Sequence, residues 1–402
     1  MLTAIVALGL QAQNTMSPYS KYGYGMLSDN ASASQRAMGG VGYAMSSGRQ
    51  INVMNPASYA SIDSLTFLFD MGIAATTMWS YEGGNSGKDF GGGLDYLTMQ
   101  FPLGKYMGAS VGLLPFSSVG YSFGSEIEQG YDSRSGTGGI NQLYAGVAGR
   151  PFKGFTVGMN ISYLFGTTLN DTYAITNDGT TSLFERVVQV RDYRLQFGLQ
   201  YNYPINRNNV VGVGLTYSPG KSLHGYTWGV YYDINSDTQP DTIGYTKMND
   251  KYSLPDTWGF GVSYQYAQKL LIEADITYQP WAKAKYAALE YFEETKFDDR
   301  WKVALGLQFQ PKSRGNYVQR INYRAGAFYT HDYLNIGGNN VREYGVTMGF
   351  GLPTPAARTL INLGFEWRRR QASPATLIKE DYFNITLGMN INELWFWQRK
   401  IN

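Results

Sequence analysis

From about residue 64 onward, apolar and polar residues alternate along the chain in segments of roughly ten residues, the length of a membrane-spanning strand. In the segment 383–391 the odd positions are Phe, Ile, Leu, Met and Ile, and the even positions are Asn, Thr, Gly and Asn. The segments 193–201, 258–266, 301–309 and 361–367 repeat this pattern. Successive side chains of a β-strand point to opposite faces, so each segment predicts a strand with one apolar face and one small or polar face.

The alternation predicts about fourteen strands, an even number as in bacterial single-chain membrane barrels. We place these strands at 64–79, 92–101, 105–119, 137–150, 154–168, 187–203, 209–218, 251–267, 269–279, 297–310, 319–330, 341–352, 358–370 and 380–396. The connections alternate between short and long, which predicts periplasmic turns and extracellular loops and leaves both barrel ends in the periplasm. We expect long loops at 80–91, 120–136, 169–186, 219–250, 280–296 and 331–340, with a short surface helix in 281–294.

The aromatic residues decide between a membrane barrel and a water-soluble β-sandwich. Aromatics make up 15% of the chain, with 33 Tyr and 8 Trp, and several predicted strands carry them at both ends of the apolar face. Tyr and Trp favour the two membrane–water boundaries, whereas a sandwich buries this face internally. No apolar run reaches the roughly 18 residues of a spanning helix. The sequence therefore predicts an all-β protein, a 14-stranded antiparallel transmembrane β-barrel in a bacterial outer membrane, surrounded by bilayer lipid and lipopolysaccharide.

Charge and reactive residues exclude several other classes of protein. The net charge is +2, without the basic excess of a nucleic-acid-binding protein. The chain has no Cys and two His, His224 and His331, and neither lies in a metal-binding or nucleophilic pattern. We therefore expect no catalytic site, no metal and no cofactor.

The first 63 residues do not alternate and divide into two parts. The apolar run 2–10 and the small residues that follow resemble the core and cleavage region of a secretory signal, so we interpret 1–12 as a signal-peptide remnant. The basic start of such a signal is missing, and we expect it to lie upstream. Residues 14–63, rich in Gly, Ser, Ala and Asn, are expected to form a hatch inside the lumen, and residues 64–402 the barrel.

Two short motifs in residues 14–63 resemble a known family. The stretch 36–44 reads Arg-Ala-Met-Gly-Gly-Val-Gly-Tyr-Ala, and 55–60 reads Asn-Pro-Ala-Ser-Tyr-Ala. Together they resemble the hatch of the FadL/OMPP1/TodX family of 14-stranded barrels, many of which import hydrophobic molecules. The matching hatch residues are Arg36, Gly39, Gly40, Asn55, Pro56 and Ala57. The segments SPYSKYGYG, LNIGGNN and ELWFWQRKI further resemble Bacteroidota members, which also serve as subunits of barrel-assembly and secretion machines.

Pro115 interrupts the third predicted strand. Proline cannot donate to a ladder hydrogen bond and is disfavoured in central strands. The resembled family has an inward kink in its third strand that opens a side window, so we predict a lateral opening or bulge at Leu113, Leu114, Pro115 and Phe116. The alternative is that Pro115 lies beyond the membrane, where strand pairing frays.

Six charged residues occupy predicted inward-facing positions, because a charge facing lipid at mid-depth is costly. They are Arg194, Glu273, Asp275, Arg324, Glu366 and Arg368. Pairing that holds the hatch is the main interpretation, and direct ligand contact is the alternative.

Two functions stay open on the sequence. One is passive uptake of a hydrophobic small molecule through the hatch and the lateral opening. The other is a non-transporting accessory role in a Bacteroidota outer-membrane machine for barrel assembly or secretion, with outer-membrane proteins and surface lipoproteins as partners. Loop aromatics such as Tyr226, Trp228, Tyr231 and Tyr232 suit either a ligand vestibule or a protein contact.

Overall fold

The computed structural model describes residues 16–127, 130–177, 179–233, 241–288, 295–355 and 359–394, and the predicted signal remnant lies outside them. The strands in chain order are β1 Met26–Leu27, β2 Thr66–Glu82, β3 Asn85–Pro102, β4 Met107–Ile127, β5 Gly130–Phe152, β6 Phe155–Thr176, β7 Thr181–Pro204, β8 Asn209–Ser218, β9 Lys221–Ser222, β10 Gly225–Asp233, β11 Asp241–Lys247, β12 Ser253–Leu254, β13 Thr257–Tyr266, β14 Leu270–Gln279, β15 Lys296–Phe297, β16 Arg300–Phe309, β17 Asn322–Ile336, β18 Asn339–Pro353, β19 Leu360–Ser373 and β20 Lys379–Leu394. The helices are α1 Ala33–Arg36 and α2 Tyr317–Arg320, with 3₁₀ turns at Pro18–Lys21, Pro56–Ser61 and Trp281–Lys283. No helix in these described ranges is long and apolar enough to cross a membrane.

Fourteen of these strands form a closed antiparallel barrel, and the other six (β1, β9–β12 and β15) are shorter additions to it. Each wall strand pairs with the next in the chain, and β20 returns to pair with β2 from Thr66↔Leu394 to Tyr81↔Lys379. The predicted fold class and strand number are confirmed. The local cause is the alternation itself, because the outward residues, such as Leu143, Leu305 and Val346, are exposed for lipid contact while their neighbours face the interior.

The wall is much taller on one side than on the other. Strands β4 to β7 contain 21 to 24 residues, whereas β8, β13, β14 and β16 contain 10 each. Since about 9–11 residues cross the membrane, β4 to β7 continue well beyond it. The predicted loops 80–91, 120–136 and 169–186 are therefore largely wrong, because these residues extend paired strands. The outward side of 120–136 is rich in Ser and Gly, which hides the strand pattern of this segment from a search for apolar alternation.

The connection 219–250 and the segment 281–294 also differ from prediction. The first contains β9 and the hairpin of β10 and β11 rather than a simple loop. In the second, the described residues form only the 3₁₀ turn Trp281–Lys283, followed by a bridge at Tyr286, and residues 289–294 lie outside the described part. Pro280, before the turn, cannot donate a backbone hydrogen bond.

The hatch segment runs from the end of the barrel with the tall strands, which we predict to be extracellular, to the opposite end, which we predict to be periplasmic. The N–H of Ser17 donates to the carbonyl of Gly120, high on β4, at 2.7 Å. Arg150, at the periplasmic end of β5, donates to the carbonyl of Ala60 at 3.1 Å. The segment between these two contacts therefore lies against the inner side of the wall, and its role as a hatch stays a prediction.

Candidate functional site

Asn55, Pro56 and Ala57 turn the hatch toward the wall at the periplasmic end. The side-chain oxygen of Asn55 accepts from the N–H of Ala57 at 3.1 Å, which caps the 3₁₀ turn that Pro56 starts. The amide nitrogen of Asn55 donates to the carbonyls of Tyr43 and Leu199 at 2.7 and 3.1 Å. One side chain thus joins this turn, another part of the hatch and strand β7.

Glycines on the wall let this turn approach the strands closely. A Cβ at Gly158 would lie 2.5 Å from the carbonyl carbon of Pro56, and one at Gly198 would lie 2.1 Å from the side-chain oxygen of Asn55. These wall positions accept no side chain without moving the hatch.

Gly39 and Gly40 form a second close contact, on the opposite wall. Both have positive φ, +72° and +78°, which glycine adopts without strain. The N–H of Gly39 donates to the hydroxyl of Thr347 at 2.9 Å. A Cβ at Gly39 would lie 2.9 Å from the carbonyl oxygens of Ala327 and Leu305, so the hatch backbone packs directly on the wall backbone.

Glu273 and Asp275, neighbours on the inner face of β14, bind four consecutive backbone N–H groups of the hatch. Asp275 accepts from residues 42 and 43 at 2.7 and 3.0 Å. Glu273 accepts from residues 44 and 45 at 2.7 and 3.1 Å. Both carboxylates are buried. We expected these lumenal charges to hold the hatch through opposite charges, but here the partners are backbone amides.

Ion pairs join the middle of the hatch to the wall. Arg36 pairs with Asp95 on β3 at 2.8 Å, and Lys302 on β16 donates to Asp29 at 2.5 Å, with Arg300 at 3.5 Å from the same carboxylate. Burial raises the pKa of the Asp29 carboxyl, but Lys302 and Arg300 outweigh that effect and hold the pKa well below its ordinary value.

The other predicted lumenal charges also face the interior, with different partners. Arg194 donates to Thr257 at 3.2 Å and lies over the ring of Phe116. Arg324 donates to the side-chain oxygens of Gln308 and Asn362 at 2.8 and 2.7 Å.

Arg368, Glu366 and Glu343 form a wall network. Arg368 lies 3.6 Å from each of the two glutamates, which are on its own strand and on β18. Arg370, which we did not predict, pairs with Glu343 at 2.6 Å and with Asp332 at 3.3 Å. Arg370 is two residues from Arg368 on the same strand, so alternation alone indicates that it also faces inward.

An aromatic cluster at the extracellular end packs the start of the hatch against the loops. Tyr24 contacts Trp281 with ring centroids 5.7 Å apart, and Trp281 contacts Tyr333 at 4.6 Å. Tyr333 also donates to the carbonyl of Gly25 at 2.5 Å. This cluster is not predictable from strand alternation, because its members come from segments that are distant in the chain.

Cavities remain around the hatch among the described residues, and their linings mix polar and charged side chains with apolar ones. Cavities of about 90 and 150 Å³ adjoin Asp29 and Lys302 in the middle of the lumen. A third, of about 450 Å³, lies at the periplasmic end, where Gln265, Lys269 and Arg320 contribute to its lining. None of them is an apolar pocket.

Strand β4 has an irregular ladder around Pro115. Its pairing with β3 ends at Leu97↔Leu113, and its register with β5 shifts between Pro115 and Ser117. Beyond this point β1 pairs with β4 at Ser117 and Ser118, where β3 would otherwise continue. Leu114 is buried, and Phe116 packs against the aromatic cluster. The lateral opening at these positions stays a prediction.

Comparisons with known proteins give one family and a set of structures with a similar fold. The model of the BamG family matches residues 1–402. The fold is similar to the Pseudomonas putida toluene transporter TodX, with a TM-score of 0.64 and 15% identity over 92% of this chain and 100% of that one. It is also similar to a Pseudomonas aeruginosa FadL homologue, with a TM-score of 0.62 and 10% identity over 92% of this chain and 99% of that one. For the Ralstonia pickettii toluene transporter TbuX, the TM-score is 0.56 and the identity is 12%, over 90% of this chain and 98% of that one. No curated protein matches the chain. The resemblance to FadL and TodX is thus confirmed for the fold.

Proposed function

The chain belongs to the BamG family, and on that premise we propose that it is a plugged accessory barrel in an outer-membrane protein complex. The family name favours barrel assembly over secretion as the task of that complex. In this role the barrel is a stable membrane body whose outer wall and extracellular surface bind partner proteins. Other outer-membrane proteins and surface lipoproteins are the partners we expect.

The observation that carries this proposal is the anchoring of the hatch at every level of the lumen. Ser17 donates to Glu380 at 2.8 Å near the extracellular end. The N–H of Gly39 donates to Thr347 at mid-depth, and the side chain of Asn55 donates to the carbonyl of Leu199 near the periplasmic end. Each contact holds the hatch to a different wall strand. A gate that moves with each transported molecule would have to break many buried polar contacts, each costing roughly 1–3 kcal/mol when left unmade.

The charged groups that line the two central cavities also favour a role other than hydrophobic transport. A hydrophobic molecule in the two central cavities would remove water from Asp29, Lys302 and their neighbours, and an uncompensated buried charge is costly. Their volumes of about 90 and 150 Å³ are also below the roughly 300–1,000 Å³ of typical ligand pockets.

Passive uptake of hydrophobic small molecules is the second candidate, and one observation favours it. The ladder between β3 and β4 ends at Leu113, and the 150 Å³ cavity touches Gly92, Gly93 and Pro115 beside that break. A lateral opening would connect this cavity with the bilayer. Two of the similar structures are described as toluene transporters.

Native purification in mild detergent, followed by native mass spectrometry, separates the two functions. Stoichiometric recovery of other outer-membrane proteins with the full chain supports the accessory role. Recovery of a lone barrel with a bound hydrophobic molecule supports uptake and overturns our proposal. A toluene-uptake assay on cells with and without the protein provides the matched measurement, and we expect equal rates.

A further inference from the structure

The tall side of the wall carries an apolar row above the membrane. Leu169 on β6 pairs with Val187 on β7, Val187 pairs with Trp228 on β10, and Trp228 pairs with Tyr245 on β11. The four side chains therefore lie side by side on one face of the sheet. With Tyr226, whose ring stacks on Tyr245 at 5.7 Å, we call these residues the surface row.

The surface row lies on the outer face of the sheet and beyond the lipid. Leu169, Tyr226 and Tyr245 are exposed, Trp228 is partly exposed, and Val187 is buried. Leu169 is six residues from the exposed Tyr163 on β6, and Val187 is six residues from the exposed Tyr193 on β7. Residues an even number of positions apart on a strand point to the same face, so Leu169 and Val187 point outward. Tyr193 and Tyr203 mark the two ends of the apolar band of β7, so Val187 lies six positions beyond its outer edge. At about 3.3 Å per residue and a tilt near 40°, the row is roughly 15 Å above that edge. An exposed apolar surface at this height is in water, not in hydrocarbon.

Two carboxylates lie directly opposite each other beside the row. Asp171 on β6 pairs with Glu185 on β7, on the same outward face. Like charges in this position destabilise a sheet, and Oδ1 of Asp171 is buried without a hydrogen-bond partner among the described residues. An arginine or lysine from outside would offset both effects.

We propose that the surface row, with Asp171 and Glu185, docks the soluble domain of a surface-exposed partner protein through an apolar patch bordered by arginine or lysine. This inference rests on the proposed accessory role and names the surface that serves it. The carboxylates argue against the anionic head groups of lipopolysaccharide. They also argue against a second copy of this chain bound by the same surface, because a two-fold axis would place acids against acids.

Site-specific photocrosslinking in intact cells tests this docking. Tyr245, 60% exposed, is replaced by p-benzoylphenylalanine in the full chain, and Tyr131, exposed on the outer face of β5, is replaced in a matched control. We expect an adduct with one protein from position 245 and none from position 131. Mass spectrometry of the adduct should locate the crosslink on the partner beside arginine or lysine. Adducts from both positions, or an adduct with lipopolysaccharide alone, would overturn the proposal.

Variants of the row then link the adduct to its chemistry. Trp228→Ala and Glu185→Lys should each lower the crosslink yield roughly tenfold or more, as expected for a central aromatic and a charged contact. Heat-modifiable migration shows whether each variant folds. If Glu185→Lys does not fold, Glu185→Gln replaces it in the test, because it removes the charge with little change in volume. Unchanged yield in folded variants overturns the docking surface. If the complex still purifies while these variants leave the yield unchanged, the accessory role stands and only this surface is wrong.

Discussion

The carboxylate of Asp275 accepts a hydrogen bond from the backbone N–H of Gly42 at 2.7 Å, which joins wall strand β14 to the hatch. The same oxygen accepts from Tyr43 at 3.0 Å. These donors are buried in the middle of the barrel, where water does not readily replace a lost acceptor. The contact therefore fixes the hatch rather than merely adjoining it.

Asp275→Leu should loosen the hatch without opening the barrel. It leaves two buried N–H groups without an acceptor, at roughly 1–3 kcal/mol each, and amide hydrogen exchange at residues 42 and 43 should accelerate by at least about tenfold. Asp275→Asn keeps an acceptor oxygen and serves as the control, with a smaller effect. Equal exchange in the leucine variant and the unaltered protein would show that other contacts hold this part of the hatch.

Gly39→Ala should destabilise the protein far more than Gly337→Ala. Both glycines have positive φ, +72° and +58°, so both variants carry about 1–2 kcal/mol of backbone strain. Only at Gly39 does the new Cβ meet wall backbone, whereas nothing lies within 4 Å at Gly337. We expect an additional cost of roughly 1–3 kcal/mol, measured as a lower urea midpoint for unfolding. Equal midpoints would mean that the hatch shifts away from the wall at little cost.

Adjacent arginines on β19 offer a matched pair of substitutions. Arg370 is buried between Glu343 and Asp332, so Arg370→Met removes the ion-pair partner of Asp332 and leaves Glu343 only Arg368, at 3.6 Å, and it should cost about 3–5 kcal/mol. Arg369 pairs with Asp381 on the outer face, and Arg369→Met should cost about 1 kcal/mol or less. The temperature at which the folded band is lost in heat-modifiability gels measures both. A larger effect at Arg369 would contradict this assignment of inner and outer faces.

The Asp29–Lys302 pair should survive acidification. Because the folded-state pKa of Asp29 is lowered, the stability that it contributes is fully present above its unfolded pKa of about 3.9 and is lost only as pH falls through the lower folded value. Asp29→Asn should therefore be less stable than the unaltered protein by a constant amount from pH 8 to about pH 4. A difference that shrinks as pH falls from 8 to 6 would contradict the lowered pKa.

Sequence alone predicted the wall better than the contents of the lumen. Strand alternation is local, so 301–309 and 383–391 were identifiable without any knowledge of their neighbours. The contacts that fix the hatch are not local, since Gly42 and Asp275 are 233 residues apart in the chain. Alternation showed that Asp275 faces inward but contained no information about which groups it meets. The aromatic cluster around Trp281 was missed for the same reason.

Replacing residues 26–57 by a Gly/Ser linker of equal length should open the lumen to ions. This exchange removes the anchored part of the hatch but keeps the connection between the extracellular start and the first wall strand. In planar bilayers the unaltered protein should conduct little, because its cavities of about 90 and 150 Å³ lie in a lumen occupied by the hatch. The linker variant should conduct at least about tenfold more, as water-filled barrels do. Heat-modifiable migration confirms that the variant barrel has folded. If the unaltered protein conducts as well as the linker variant, the hatch does not close the lumen, and the plugged accessory role loses its main support.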